Sequence, residues 1–140
     1  MLIVNVLDWR AEHFRRQLDM LLEPVATPDE QIVAIFDWHE RWFESPGFHG
    51  CLFQHSLAEY GTPGHAVFEA VSRQKHALKQ RLQDILEQTL PEERAAVFAN
   101  TLFMLIEGAT MLAHLGQGKM AVASMRKTAS ALLFSADRLQ

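Results

Sequence analysis

Apolar residues recur at spacings of three and four along almost the whole chain, and alternating, strand-like runs are nearly absent. That period lays one apolar stripe along a helix, so the pattern predicts an all-α protein. Leu7, Ala11, Phe14, Leu18 and Leu21 form the first stripe, Asp8, Glu12, Arg15, Arg16 and Asp19 lie mostly off it, and Pro24 ends it. Thr27, Pro28, Asp29 and Glu30 then make a capping box with proline at the first helical position, which predicts a helix start. From Gln31 to Glu44, Ile32, Val33, Ile35, Phe36, Trp38, Trp42 and Phe43 cover more than a surface helix needs, leaving Asp37, Glu40, Arg41 and Glu44 for water. A helix buried on two sides is expected there.

Ser45, Pro46 and Gly47 break that helix, a short one is expected from His49 to Tyr60, and Gly61, Thr62, Pro63 and Gly64 form the next turn. A long helix is expected from His65 to Thr89, with Val67, Val71, Leu78, Leu82, Ile85 and Leu86 on its core side. Pro91, Glu92 and Glu93 signal another start, since negative charge is favourable at a helix amino end. Between Ala95 and Gly116 the only formal charge is Glu107. We expect this helix to be covered by its own domain on one side and by a partner subunit on the other, because a central carboxylate opposes insertion in a membrane. The last helix, from Lys119 to about Asp137, places Val122, Met125, Ala129, Leu132, Leu133 and Ala136 on one face. The expected architecture is a single bundle of about six helices spanning residues 1–140 as one domain, with no internal repeat.

Composition narrows the class. At 140 residues and 15.9 kDa, with 49% hydrophobic and 21% charged residues, the chain can bury a core without a disulfide or structural metal. A net charge of −4 argues against direct nucleic-acid binding. The lone Cys51 fits a reducing compartment. The apolar Leu2 to Leu7 segment has no preceding positive residue and no cleavage site after it, so a cytoplasmic protein is expected.

Gly50, Cys51, Leu52 and Phe53, then Ala58, Glu59 and Tyr60, then Lys75 and His76, and finally Leu105, Ile106, Glu107, Gly108 and Ala109 carry a resemblance. In their order and helical context the chain resembles the C-terminal regulatory domain of TetR-family transcriptional repressors. The resemblance covers essentially the whole chain. It implies a helical domain that binds a small effector and forms a homodimer through its last two helices. DNA would be contacted only through an amino-terminal helix-turn-helix domain, of which nothing is seen ahead of Leu2. The resemblance thus implies a truncated product or a free-standing regulatory domain, and it names a pocket region without naming the effector.

Aromatic area on the second helix exceeds what one core can cover, and an apolar cavity with a few polar groups would absorb it. The expected pocket residues are Trp9, His13, Phe36, Phe43, Phe53, His55, Phe103 and Glu107, with a small, mostly apolar and aromatic effector; His114 is a further polar candidate. The expected dimer interface is Leu105, Met111, Val122, Met125 and Leu132. Cys51 and His55 stand at i,i+4 with His49 nearby, but no complete zinc spacing exists, so neither a metal nor a cofactor is expected. Cys51 could be a redox-sensing thiol or a small buried residue. No nucleophile elbow, phosphate loop or dinucleotide fingerprint occurs, so no enzyme is expected. The competing reading is an interaction module that dimerises with an intact regulator and binds no effector. An open cavity favours the sensor; a space closed by side chains favours the module.

Overall fold

The computed structural model describes the backbone of residues 1–139 and the side chains of residues 1–133. Six α-helices and no strand make up the described residues: α1 (Leu2–Leu22), α2 (Pro28–Phe43), α3 (Leu52–Glu59), α4 (Ala66–Leu86), α5 (Glu92–His114) and α6 (Gly118–Leu139). The bundle expected from periodicity is present, with differences at the ends of elements. In α2 the Glu30 amide donates to Thr27 Oγ1 at 3.2 Å, which is the Thr27 half of the capping box, and Pro28 stands in the first turn. The third helix begins at Leu52 rather than His49. Gly50 adopts φ +88°, which turns the chain, and Cys51 follows as an extended N-cap. A β-carbon on Gly50 would lie 2.8 Å from both His114 Nδ1 and His55 Nε2, so local space as well as φ selects glycine.

Two apolar clusters hold the bundle. The larger joins Leu18 and Leu22 of α1, Ile32, Ile35 and Phe36 of α2, Leu78 and Leu82 of α4, Leu102 and Ile106 of α5, and Val122 and Met125 of α6. The smaller joins Leu7 of α1 to Cys51, Phe53, Val67, Ala70 and Val71. Each fully buried leucine or isoleucine contributes about 1.5–3 kcal/mol relative to exposure, so the clusters, more than the caps, fix the helix positions. Ion pairs tie the outside: Arg81 to Asp19 at 2.6 Å between α4 and α1, and Arg126 of α6 to Asp37 of α2.

Helix α5 is long and apolar enough to cross a membrane by length and composition alone. In the bundle it turns Ala95, Ala99, Leu102, Ile106, Ala109 and Thr110 into the core, against α4 and α6. Its outer side carries Val97, Met104, Met111 and Leu115, all exposed, with Met120 of α6 beyond. Two expected interface residues are corrected here: Val122 and Met125 are only 2% and 1% exposed within their own subunit, because the apolar stripe of α6 faces its own core. Leu105 and Leu132 are half-buried, and Met111 is exposed. The side chain of Ala136 lies outside the described residues.

Candidate functional site

A cavity of about 360 Å³ opens where the two clusters meet. Helix α1 supplies Trp9, Arg10, His13, Phe14 and Gln17 to its wall, and α2 supplies Trp38, His39 and Trp42. Cys51, Leu52 and Phe53 at the start of α3 close one end; Gln74, Lys75 and Leu78 of α4 and Ile106, Glu107 and Thr110 of α5 complete it. Seven of the wall residues carry rings. Phe14 meets Trp38 edge-on at 4.8 Å, Trp38 and Trp42 are 5.5 Å apart, and Trp9 stacks on His13 at 5.2 Å. Such arrangements hold rings apart from one another at fixed angles and leave flat apolar surface facing inward.

The stripes explain how polar groups reach this wall. On α4 the buried run Val67, Ala70, Val71, Leu78, Leu82 is interrupted at the turn holding Gln74 and Lys75. On α2, His39 follows Ile32, Ile35 and Phe36 at helical spacing and is itself buried. On α5, Glu107 and Thr110 stand next to Ile106 on the inner side.

Lys75 Nζ donates to Glu107 Oε1 at 2.7 Å, and both side chains are about one-fifth exposed. Gln54 Nε2 donates to Glu107 Oε2 at 2.8 Å and to the Glu107 carbonyl at 3.1 Å. Lys75 also lies 3.7 Å from Cys51 Sγ and 5.7 Å from the centre of the Phe53 ring. The ammonium and carboxylate therefore neutralise one another inside the wall. Thr110 Oγ1 is spent on the Ile106 carbonyl at 2.8 Å. His39 Nδ1 lies 2.8 Å from the Ile35 carbonyl, which can only accept, so Nδ1 carries the proton. Burial pushes the His39 pKa down from 6.5 to about 4, with the Ile35 bond opposing, and the ring is neutral at physiological pH. Gln74 Oε1 is buried with no hydrogen-bond partner among the described residues.

Of the eight pocket residues expected from sequence, Trp9, His13, Phe53 and Glu107 stand in this wall. Four do not, and these are corrections. Phe36 is buried in the larger cluster beside α6, and Phe43 packs between His39 and Phe48. Phe103 packs against the larger cluster from the side. His55 points away and pairs with His114, ring centres 5.1 Å apart, over Gly50. His39, Gln74 and Lys75 are the polar wall residues that sequence reasoning missed. Among the described residues no group of three potential metal ligands occurs.

The described residues form an all-α bundle whose helices surround a cavity crossed by an internally engaged ion pair. Its particular architecture is that of TetR-family regulators. A TetR-family transcriptional regulator from Streptomyces coelicolor superposes with a TM-score of 0.89 at 24% identity, over 96% of this chain and 71% of that one. A putative TetR transcriptional regulator from Streptomyces avermitilis superposes with a TM-score of 0.82 at 21% identity, over 96% of this chain and 72% of that one. The protein therefore has a TetR-regulator fold. No protein-family model matches the sequence, and no curated protein matches it.

Proposed function

We propose that the chain is the effector-sensing and dimerisation domain of a TetR-like transcriptional regulator. In this reading a small aromatic molecule fills the cavity and governs DNA binding by a helix-turn-helix domain joined ahead of α1. The observation that carries it is the cavity itself: about 360 Å³, within the range of small-molecule sites, with aromatic rings supplying much of its apolar surface and polar side chains placed among them. A domain serving only to pair with another regulator has no need of such a space, since unfilled apolar volume costs packing energy. The wall's one close ion pair is engaged internally and offers no free nucleophile with an adjacent base, which favours binding over catalysis.

The same reading assigns the outer side of α5 to a homodimer. Val97, Met104, Met111 and Leu115 form an exposed apolar strip on a helix whose opposite side is core. Isolated exposed methionines need no explanation, but a strip running the length of one helix suits burial against a second copy.

The test of the sensor reading is a thermal-shift screen with planar aromatic compounds. A ligand present at a hundred times its Kd is expected to stabilise the fold by about 2.7 kcal/mol, with a matching change in tryptophan emission. If no compound moves either signal, the effector reading gives way to the interaction-module reading.

A further inference from the structure

The cavity wall is more selective about charge and hydrogen bonding than its apolar appearance suggests. Its buried ring nitrogen has a fixed role. Because the Ile35 carbonyl takes the proton-bearing Nδ1 of His39, the other nitrogen, Nε2, is left with a lone pair and no donor. Among the described residues His39 makes no other hydrogen bond, while its ring is boxed by Phe14, Trp38, Trp42 and Phe43. Phe14 and Phe43 carry no donor, and among the described residues neither the Trp38 nor the Trp42 indole N–H is hydrogen-bonded to it. His39 lines the cavity, and its Nε2, which has no protein donor among the described residues, is an acceptor that a molecule in that space can satisfy.

The charges in the wall point the same way. Lys75 is already held by Glu107 at 2.7 Å, and Glu107 is held a second time by Gln54. A ligand carboxylate at Lys75 would have to share that one ammonium with Glu107, placing two like charges side by side in a partly buried site. The other wall cation, Arg10, is exposed at the rim, where solvent weakens any pairing. A ligand ammonium meets Lys75 and Arg10 and finds Glu107 already neutralised. Gln74 Oε1, buried and without a partner among the described residues, is a second acceptor in the wall and also favours a ligand that donates.

We propose that the cavity takes a neutral planar aromatic molecule bearing one hydroxyl or N–H donor, of the phenol or indole type, and that His39 Nε2 accepts that hydrogen bond. This rests on the effector reading given above and adds the chemical class. The aromatic body is sandwiched by Phe14, Trp38, Trp42 and Phe53, and the donor selects orientation and identity.

The experiment is isothermal titration of the protein at pH 7.5 with five probes sharing one ring system: 2-naphthol, 2-methoxynaphthalene, naphthalene, 2-naphthoate and 2-naphthylmethylamine. The expected result is that 2-naphthol binds about tenfold tighter than both naphthalene and 2-methoxynaphthalene, which bracket it in size and cannot donate. The two charged probes should bind weaker than 2-naphthol. In His39→Phe the preference for 2-naphthol over naphthalene should fall to within about twofold while naphthalene binding persists. Should that variant fail to fold, the comparison of 2-naphthol with 2-methoxynaphthalene on the unaltered protein decides alone. Tightest binding by naphthoate or by the amine, or equal binding of 2-naphthol and 2-methoxynaphthalene, overturns the proposed class and leaves the sensor reading standing. Failure of all five probes to bind removes the sensor reading itself.

Discussion

Lys75 Nζ of α4 and Glu107 Oε1 of α5 lie 2.7 Å apart, and this bond crosses the wall of the cavity. It is a polar tie between two of the helices that line the cavity. Its partners are unequal: Glu107 is also held by Gln54, whereas Lys75 has only Cys51 Sγ and the Phe53 face besides. Removing Lys75 should therefore hurt less than removing Glu107, which strands a partly buried ammonium with no carboxylate.

Glu107→Ala is expected to lower stability by about 2 kcal/mol, as for a charged group left unpaired away from water. Lys75→Met should cost about half as much, since Gln54 still donates to the carboxylate. The combined variant should cost less than the two losses added together. Urea unfolding of the three variants checks all of these, and additive losses would show that the pair is not coupled.

Acid should weaken the fold through His39. Its pKa in the folded protein is pushed down to about 4, chiefly by burial, while the unfolded chain takes up this proton near 6.5. Stability from this group is complete above pH 6.5 and is lost progressively as pH falls to 4, because the unfolded state binds a proton the folded state refuses. The shift corresponds to about 3 kcal/mol at most. Urea midpoints at pH 7.5 and 5 should fall for the unaltered protein and fall distinctly less for His39→Phe.

Charge placed on α5 and on α6 should have opposite consequences. Met111 is 58% exposed on the outer strip, so Met111→Asp is expected to dissociate the proposed dimer and leave the helical content unchanged. Met125 is buried in its own subunit, so Met125→Lys should destabilise the monomer by about 4 kcal/mol or more. Sedimentation and circular dichroism on both variants separate the two effects. A Met125→Lys protein that stays folded and becomes monomeric would return the interface to the inner side of α6.

Gly50 and Gly47 offer a matched pair. Gly50→Ala forces a β-carbon onto a backbone at φ +88° and into His55 and His114, and should cost about 1–3 kcal/mol. Gly47 has open space around it, and Gly47→Ala should change stability by no more than about 0.5 kcal/mol. Thermal melts of the two variants test the contrast.

Most of the fold was legible because the helices are bounded by local signals. Thr27 and Pro28 mark one start, and Gly61 to Gly64 and Gly116 mark turns whose chemistry is contained in the residues themselves. The start of α3 was placed too early because the effect of Gly50 depends on two histidines from other parts of the chain. The site was half legible. Aromatic excess on α2 pointed to a cavity, but it could not say which ring faces it: Trp38 and Trp42 do, whereas Phe36 and Phe43, one position from neighbouring wall residues or nearly so, face the core instead. The better signal was the polar residue inside an apolar stripe. His39, the Gln74–Lys75 turn and Glu107 each interrupt a buried run, and all three meet at the same space. For α6 the opposite error arose: an apolar face was assigned to a second subunit when Val122 and Met125 were needed to close the first.

The position of α1 has a mechanical consequence. The helix rests on two supports, Leu18 and Leu22 in the larger cluster and Leu7 in the smaller, and the ring-walled space lies beneath the span between them. Were a molecule in that space to push α1 outward with the Leu18 end held by the larger cluster, the helix would turn about Leu18. Rotation about Leu18 then carries His13 on a short arm of about 7.5 Å and Leu2 on a long arm of about 24 Å. Half an ångström of swelling at the imidazole becomes about 1.5 Å of travel at the amino end, a threefold lever built from nothing but helix length and the placing of two leucine fulcrums.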